Sequence, residues 1–217
     1  MNGKTGATYT DYIKTFKPNP NGKDRRVFTE TGCWNCSNED MIKSERPQDK
    51  DPLLAKAVLE FIKRNRGNSL YDLGCGATGD YVKYFLSNGL NAVGVEGNPH
   101  IRSEQSEFLI EGDLTKELNL KPKDWTLSLE VGEHIPADLT EIYLDNVVNS
   151  NKQGVIISWA IPGQGGFGHF NERPNEYVKK MFKDRGLVSD EQAQEELRKN
   201  VTEKFRWFKK SIMVFRK

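Results

Sequence analysis

Short apolar runs alternate with amphipathic segments over residues 53–217. Residues 53–62 place apolar side chains at spacings of three and four, which is the period of a helix with one buried face. Asp51 and Pro52 are typical of a helix start, and Gly67 is typical of a helix end. Further helices are predicted at 81–86, 100–105, 139–148 and 174–185, and one more begins at the capping box Ser189–Gln192 and ends near Asn200.

Between these helices, short apolar runs predict strands. They cover residues 70–73, 91–96, 108–110, 125–129 and 154–160, and residues 205–215 predict a last strand that returns antiparallel. Strands that alternate with helices form βαβ units. We therefore predict an α/β fold, with a doubly wound, Rossmann-like, mostly parallel sheet and helices on both faces. In such sheets ligands bind at the carboxyl ends of the strands.

The composition fits one main domain and excludes several classes of function. The 217 residues carry 32 basic and 31 acidic side chains, and a net charge of +1 gives no field that would steer the protein to nucleic acid or to an acidic membrane. The apolar runs are too short to span a bilayer, and the N-terminus has no apolar signal segment. Three cysteines, an odd number, do not form a disulfide framework. We expect a cytoplasmic protein that does not associate with membranes.

Residues 1–52 contain turn-forming and polar stretches and too few apolar residues for a core of their own. We predict that they form an arm that packs on the domain at 53–217 or covers its site. Cys33 and Cys36 have three interpretations: half of a zinc site, a redox pair, or hydrophobic anchors of the arm together with Trp34.

A glycine-rich turn follows the first predicted strand. Gly74, Gly76 and Gly79 have the spacing G-x-G-x-x-G before a helix start, where free N–H groups and the helix dipole favour a nucleotide-like ligand. Asp72 precedes the first glycine by two residues, and its carboxylate would repel a pyrophosphate and attract a cation. S-adenosylmethionine carries an ammonium and a sulfonium group and no phosphate, so it suits this turn better than NAD does.

Acidic residues also end the next strands. Glu96 ends the second strand, where a carboxylate can accept both ribose hydroxyls. Asp113 follows the third strand and could accept from an adenine amino group, and Glu130 ends the fourth. Each acid taken singly could be an ordinary turn residue. Together with the glycine turn, the acids at the ends of the first three strands (Asp72, Glu96 and Asp113) match a ligand that contains one nucleoside and one amino acid.

The segments DLGCGATG, GVEGNP, EGDLT and SLEVGEHIP resemble the successive motifs of class I S-adenosylmethionine-dependent methyltransferases. The resemblance covers residues 53–217 and implies a seven-stranded sheet whose last strand is antiparallel. It also implies S-adenosylmethionine as the cofactor, with its methionine part at the glycine turn and its ribose, adenine and methyl group at the later acids. The cofactor-binding positions that it implies are Asp72, Gly74, Cys75, Gly76, Glu96, Gly97, Asp113, Leu114, Leu129 and Glu130.

The acceptor side of the site is predicted from the loops after the fourth and fifth strands. Methyl transfer to a hydroxyl requires a base that removes a proton, and His134 and His169 are the candidates, with Glu130 beside them as a third catalytic residue. His134 could instead cap the following helix or pack under it. Trp159 and Phe167 are expected to line the acceptor pocket.

A metal-assisted reaction is an open alternative. The carboxylates of Glu130, Glu133 and Asp138 lie near a histidine in sequence. Spacing within a loop does not establish a metal site, and we predict that no metal binds.

The loop after the fourth strand lacks the D/N/S-P-P-Y/F/W signature of methyltransferases that act on the amino groups of bases. We therefore predict O-methylation of a small molecule or glycan hydroxyl. Residues 197–217 carry eight basic residues, one acid and four aromatic rings, which leaves RNA or protein as an alternative acceptor. The other interpretation of these basic residues is the solvent face of a strand. A non-catalytic subunit that binds the cofactor or a partner is the alternative from another class.

Overall fold

The computed structural model of the protein describes residues 29–33, 50–99, 101 and 107–217. The strands in these ranges are β1 (Ser69–Leu73), β2 (Asn91–Glu96), β3 (Leu109–Glu111), β4 (Lys123–Ser128), β5 (Asn151–Ser158), β6 (Val188–Ser189) and β7 (Ile212–Arg216). The α-helices are α1 (Pro52–Arg64), α2 (Asp80–Ser87), α3 (Thr140–Asn149), α4 (Asn175–Asp184), α5 (Glu191–Lys199) and α6 (Phe208–Ser211). Short 3₁₀ turns cover Gly132–His134, Ala137–Leu139 and Glu203–Phe205.

The strands form one seven-stranded sheet in the order β3-β2-β1-β4-β5-β7-β6. β7 runs antiparallel to both of its neighbours, and all other pairings are parallel. The chain builds the sheet outward from β1 to β3 and then continues on the other side of β1 with β4. This reversal opens a crevice at the carboxyl ends of β1 and β4, where open α/β sheets bind ligands. The predicted doubly wound, mostly parallel sheet is confirmed.

Apolar side chains cover both faces of the sheet. On one face α1, α2 and α5 pack through a cluster that includes Phe61, Trp125 and Leu197. On the other face α3 and α4 pack through a cluster that includes Tyr143 and Phe182. Each of these fully buried side chains contributes about 1.5–3 kcal/mol relative to an exposed one. The sheet is therefore a rigid support from which the loops at its carboxyl edge project.

The start of α1 was predicted from Asp51 and Pro52 and is confirmed. Oδ1 of Asp51 accepts the backbone N–H groups of Leu53 and Leu54 at 3.0 and 3.2 Å, as an N-cap does. Oδ2 accepts the N–H and the hydroxyl of Thr202 at 2.8 and 2.9 Å. One buried carboxylate thus joins the first helix to the C-terminal segment.

The capping box predicted at Ser189 is wrong. Ser189 lies in β6 and pairs with Phe215 of β7, and Asp190 takes the N-cap position of α5. The Asp190 carboxylate accepts the N–H of Ala193 at 3.0 Å. Asp is as good an N-cap as Ser, and strand pairing keeps the serine in the sheet.

The predicted last strand begins too early. Residues 203–211 form a 3₁₀ turn and α6, and β7 begins only at Ile212. Phe205 and Phe208, three residues apart, are both buried in the core under α1 and α5, a spacing that suits a helical turn. Of the eight basic residues in 197–217, Arg216 alone lies in β7, so their interpretation as the solvent face of a strand is wrong.

Most of the arm at 1–52 lies outside the described residues, and so do Trp34, Cys36 and the helix predicted at 100–105 apart from Ile101. The expectations for these segments stay predictions. In the described part of the chain, the helices lack the length and apolar character that crossing a bilayer requires.

Candidate functional site

A narrow cavity of about 80 Å³ lies at the carboxyl ends of β1, β2 and β4. Its wall consists of Gly32, Cys33, Gly74, Gly76, Ala77, Glu96, Gly97, Asn98, Leu114, Glu130, Val131, His134 and Ile135. Of the predicted cofactor-binding positions, the wall contains Gly74, Gly76, Glu96, Gly97, Leu114 and Glu130. The fold therefore brings together residues from four predicted strand ends.

The glycine turn after β1 requires glycine for two reasons. Gly74 and Gly76 have φ angles of 80° and 72°, in the left-handed region that favours glycine. A Cβ on Gly74 would also overlap the side chain of Val131 in the loop after β4. The N–H of Gly74 donates to the carbonyl of Val95 at 2.8 Å, which ties the turn to β2.

Glu96 joins this turn to the loop after β2. Its Oε2 accepts the N–H of Gly76 at 2.8 Å, and its Oε1 accepts the N–H of Asn98 at 3.0 Å. Burial raises the pKa of Glu96 above its ordinary value, and the backbone N–H groups limit the rise. The carboxylate is thus held in the cavity wall with lone pairs available to hydroxyl donors.

Asp72 lies behind the glycine turn. It pairs with Gly94 and Leu127 in the neighbouring strands and is not among the described residues that line the narrow cavity. It is 3% exposed, and its Oδ2 has no hydrogen-bond partner in the described part of the chain. Burial, and then the charge of Glu96, raise the pKa of Asp72 to about 8. Its predicted contact with a cofactor cation stays a prediction.

Three other predicted positions are set back from the cavity wall. The thiol of Cys75 donates to the carbonyl of Gly76 at 3.4 Å, and burial raises its pKa well above the ordinary value, so it is an inert thiol. Oδ1 of Asp113 accepts the N–H of Thr115 at 3.0 Å, as in a turn. Leu129 packs against the apolar cluster under α1.

Residues 29–33 of the arm form one side of the narrow cavity. A Cβ on Gly97 would overlap the sulfur of Cys33, and a Cβ on Gly32 would overlap the carbonyl oxygen of His134. Burial raises the pKa of Cys33 to about 11, so this side chain is a neutral thiol. The arm segment therefore packs tightly against the loops after β2 and β4.

A wide cavity of about 840 Å³ lies beyond β4 and β5. Its wall consists of Glu130, His134, residues 161–167, His169, Arg206, Trp207, Lys209 and Lys210. Glu130 and His134 belong to both walls, so the two cavities meet at these side chains.

Glu130 is held firmly at this junction. Its φ of 54° is left-handed, which costs a non-glycine residue ~1–3 kcal/mol and is typical of functional sites. Its Oε1 accepts the hydroxyl of Ser158 at 2.8 Å, and its Oε2 accepts the amide of Gln164 at 2.5 Å. The backbone N–H of Glu130 donates to the same Ser158 oxygen at 2.8 Å.

Beside Glu130, the side chains of Glu133, His134 and His169 form what we call the junction cluster. One carboxylate oxygen and one nitrogen from each ring lie within 4.8 Å of one another. The two ring centroids are 4.9 Å apart, with the rings nearly perpendicular at 82°. Nδ1 of His134 lies 3.1 Å from the carbonyl oxygen of Gly168, and Nδ1 of His169 lies 3.4 Å from Oε1 of Glu172.

The electrostatics of the junction cluster are unusual. Glu133 is fully buried, and neither carboxylate oxygen has a hydrogen-bond partner among the described residues. Burial, and then the charge of Glu130, raise the pKa of Glu133 well above its ordinary value, and the backbone N–H groups of Glu133 and Ala160, which lie beyond ordinary hydrogen-bond length, oppose the rise only in part. Burial lowers the pKa of His169, against the opposite effect of Glu172, which favours a neutral imidazole at pH 7. The cluster can accept protons or bind a cation.

No protein-family model and no curated protein matches the chain. Solved structures do match it. The 1,6-didemethyltoxoflavin-N1-methyltransferase of Burkholderia thailandensis, solved with S-adenosylhomocysteine, gives a TM-score of 0.56 at 14% identity over 82% of this chain and 86% of that chain. A S-adenosylmethionine-dependent methyltransferase of Clostridium acetobutylicum gives 0.56 at 14% identity, over 82% and 95%.

The small RNA methyltransferase HEN1 gives a TM-score of 0.56 at 17% identity, over 75% of this chain and 24% of that one. The protein has the class I methyltransferase fold. Identities this low establish the fold, and the fold agrees with the sheet order and the position of the crevice.

Within this methyltransferase fold, the two aromatic residues predicted to line the acceptor pocket have different surroundings. Trp159 does not line either cavity formed by the described residues, and Phe167 does line one. Trp159 is fully buried, its indole N–H donates to the carbonyl of Asn171 at 2.6 Å, and its ring packs against Gly132. It follows β5 directly and belongs to the core. Phe167 lines the wide cavity.

Several residues of the candidate site were not predicted from the sequence. Glu172 follows His169 by three residues, a spacing that could have indicated the contact. Gln164 gives no such signal, because its partner Glu130 is 34 residues away. The C-terminal basic residues were noted, but their position in the wall of the wide cavity depends on α6 replacing the predicted strand.

Proposed function

We propose that this protein transfers the methyl group of S-adenosylmethionine to a hydroxyl of a small molecule or glycan. The observation that carries the proposal is the meeting of the narrow and wide cavities at Glu130 and His134. One cavity has the glycine turn and the glutamate that suit a nucleoside with an amino acid, and the other has room for an acceptor. The bound S-adenosylhomocysteine of a fold neighbour supports the choice of cofactor.

In this proposal the cofactor lies along the wall of the narrow cavity. Glu96 accepts the ribose hydroxyls, a contact worth about 1.5–3 kcal/mol for a charged acceptor. Gly74 and Gly76 contact the methionine part, and Leu114 packs against the adenine. The ammonium and sulfonium groups of the cofactor would lower the raised pKa of Asp72 behind the turn, so Asp72 would become negatively charged and attract them once the cofactor binds.

The arm takes part in this binding. A cavity of about 80 Å³ is smaller than the ~300–1,000 Å³ that small-molecule sites usually offer. Residues 29–33 therefore move outward to admit the cofactor and pack over it afterwards. We propose on this basis that the arm at 1–52 covers the site and that 53–217 is the catalytic domain.

The acceptor hydroxyl lies in the wide cavity, in line with the bond between the methyl carbon and the sulfur. Its oxygen forms a bond to the methyl carbon while the carbon–sulfur bond breaks, and the electron pair stays on sulfur to give S-adenosylhomocysteine. The hydroxyl proton leaves with the help of the junction cluster, in which His134 and His169 face the acceptor. Such assistance contributes roughly 10²–10⁴-fold to the rate.

The test uses S-adenosylmethionine labelled in its methyl group and a panel of monosaccharides, phenols, ribonucleosides and short RNAs. The proposal expects label on a hydroxyl oxygen and an equal amount of S-adenosylhomocysteine. Label on nitrogen alone would contradict the hydroxyl acceptor. Tight cofactor binding in calorimetry with no turnover on any acceptor would favour the non-catalytic alternative.

The C-terminal segment favours RNA as a second candidate acceptor. Arg206, Trp207, Lys209 and Lys210 line the wide cavity, where cations can contact phosphates and the ring can stack on a base. This candidate predicts that binding of a short single-stranded RNA weakens steeply between about 50 and 200 mM salt. It also predicts that Lys210→Ala lowers the slope of log affinity against log salt by about one. An affinity that does not respond to salt would remove this candidate.

A further inference from the structure

Glu133 lies in the 3₁₀ turn after β4, and its buried carboxylate oxygens accept no hydrogen bond of ordinary length from the described residues. Leaving a buried polar group unsatisfied costs about 1–3 kcal/mol, and more for a charged one. The nearest basic atom is Nε2 of His169, 3.8 Å from Oε1, which is beyond hydrogen-bond distance. A cation between the carboxylate and the ring would remove this cost.

Both histidines of the junction cluster are oriented like metal ligands. Nδ1 of His134 faces the Gly168 carbonyl, and Nδ1 of His169 faces the Glu172 carboxylate. An oxygen acceptor at Nδ1 favours the tautomer with its proton on Nδ1 and its lone pair on Nε2. Histidines that bind metals show this arrangement, with the far nitrogen held by a carboxylate or a carbonyl.

We propose that Glu133, His134 and His169 bind one divalent metal cation, contrary to our expectation from the sequence. Their ligand atoms already lie within 4.8 Å of one another, and small side-chain movements bring them to a common centre at ~2.0–2.2 Å. One carboxylate and two imidazoles suit manganese, iron, cobalt or zinc better than calcium.

This proposal rests on the proposed O-methylation and deepens it. His134 and His169 belong to the wall of the wide cavity, and three protein ligands leave coordination positions open on that side. An acceptor hydroxyl bound at such a position has a lowered pKa and a defined orientation toward the methyl group. The histidines then assist deprotonation as metal ligands rather than as bases.

Two neighbouring acids, Glu130 and Asp138, are less suited than Glu133 to be ligands of the proposed cation. The Glu130 carboxylate is already held by Ser158 and Gln164, so it fixes the wall beside the cation. Asp138 is exposed and does not belong to the cluster formed by the described residues. Asp138→Asn is therefore a matched control, because it removes an acid from the same loop and leaves the cluster intact.

The experiment titrates Mn²⁺ into chelator-treated, desalted full-length protein by calorimetry. We expect one Mn²⁺ per chain in the wild type and in Asp138→Asn, and at least tenfold weaker binding in Glu133→Gln and His169→Gln. Mn²⁺ should also raise the melting temperature of the first two proteins and not of the last two, because only a ligand that binds the folded state stabilises it. Zn²⁺ is titrated in the same way.

S-adenosylhomocysteine is titrated into the same samples, so the two proposals can fail separately. If it binds while neither metal does, the metal proposal is overturned and the proposed function remains. Equal metal affinity in the wild type and Glu133→Gln also overturns the metal proposal, since the cation would then bind elsewhere. If Mn²⁺ binds and S-adenosylhomocysteine does not, the metal site remains and the proposed function fails.

Discussion

Glu96 and Glu133 are glutamates at the carboxyl edge of the same sheet, and their surroundings differ. Glu96 accepts two backbone N–H groups, whereas Glu133 has no hydrogen-bond partner among the described residues. Burial raises the pKa of both, and nearby backbone N–H groups limit the rise at both, but the charge of Glu130 adds to the rise at Glu133 alone. The first carboxylate is prepared for hydroxyl donors, and the second for a proton or a cation.

The two regions are also assembled differently. The narrow cavity depends on a contact between Gly76 and Glu96 that spans 20 residues, within one βαβ unit. The junction depends on contacts between the loops after β4 and β5 that span 34 residues, such as that of His134 with Gly168. In the proposed function, a local unit thus supplies the cofactor side and separate loops supply the acceptor side, so substrate preference could change there without loss of the cofactor site.

The largest effect is expected in His134→Ala, which should lower turnover and leave cofactor binding nearly unchanged. His134→Ala should lower turnover by roughly 10²–10⁴-fold, because the junction cluster loses a group that assists deprotonation. The affinity for S-adenosylhomocysteine should stay within severalfold of the wild type. Release of S-adenosylhomocysteine measures the first and calorimetry the second. Full turnover in this variant would remove His134 from the chemistry.

Glu96→Ala tests the narrow cavity. Loss of the ribose acceptor should weaken S-adenosylhomocysteine binding by about tenfold to a hundredfold, from ~1.5–3 kcal/mol of charged hydrogen bonding. Calorimetry measures the change. Glu111→Ala is the control, since Glu111 pairs with Glu96 in the next strand but is not among the described residues of the cavity wall. Equal affinity in the two variants would contradict the ribose assignment.

Replacing Glu133 or Glu96 with the isosteric glutamine should change the free energy of unfolding in opposite directions. Without metal or cofactor at pH 7, Glu133→Gln should raise the free energy of unfolding by about 1–3 kcal/mol, because the wild-type carboxyl has a raised pKa and must bind a proton or bury a charge on folding, and the amide does neither. Glu96→Gln should lower it by about 1–2 kcal/mol, because one accepted backbone N–H loses its charged partner. Urea denaturation in the presence of a chelator measures both. A loss of stability in Glu133→Gln would show that its carboxylate is well satisfied.

The smallest effects are expected from replacing one glycine with alanine in the wall of the narrow cavity and one in the wall of the wide cavity. A Cβ on Gly97 would overlap the sulfur of Cys33, and a Cβ on Gly166 would overlap the ring of His169. Gly97→Ala should weaken S-adenosylhomocysteine binding by about threefold to tenfold, since a shift of this size corresponds to ~0.7–1.4 kcal/mol. Gly166→Ala should leave that affinity unchanged and lower turnover instead. The reverse pattern would exchange the roles of the two cavities.

The sequence predicts well which residues surround the narrow cavity, because its signals there are local. The bounds of β2 agree with the predicted 91–96, and Gly74, Gly76 and Glu96 all line the narrow cavity. Local patterns fail where two local choices compete, as at Ser189 and Asp190, where strand pairing takes the serine and leaves the aspartate as N-cap. Asp72 shows a different limit, because alternation along a strand does not reveal whether its carboxyl reaches the cavity or stays behind the turn.

By itself the sequence determined the alternating α/β order, the glycine turn and the two histidines as candidates for chemistry. The tertiary structure alone decided that the ring centroids of these histidines lie 4.9 Å apart beside the buried carboxylate of Glu133, and that the C-terminal basic residues line the same wide cavity. The physical reason is that helix and strand periods come from neighbours along the chain. The junction cluster depends on sheet order and loop packing, which bring together loops that the chain keeps far apart.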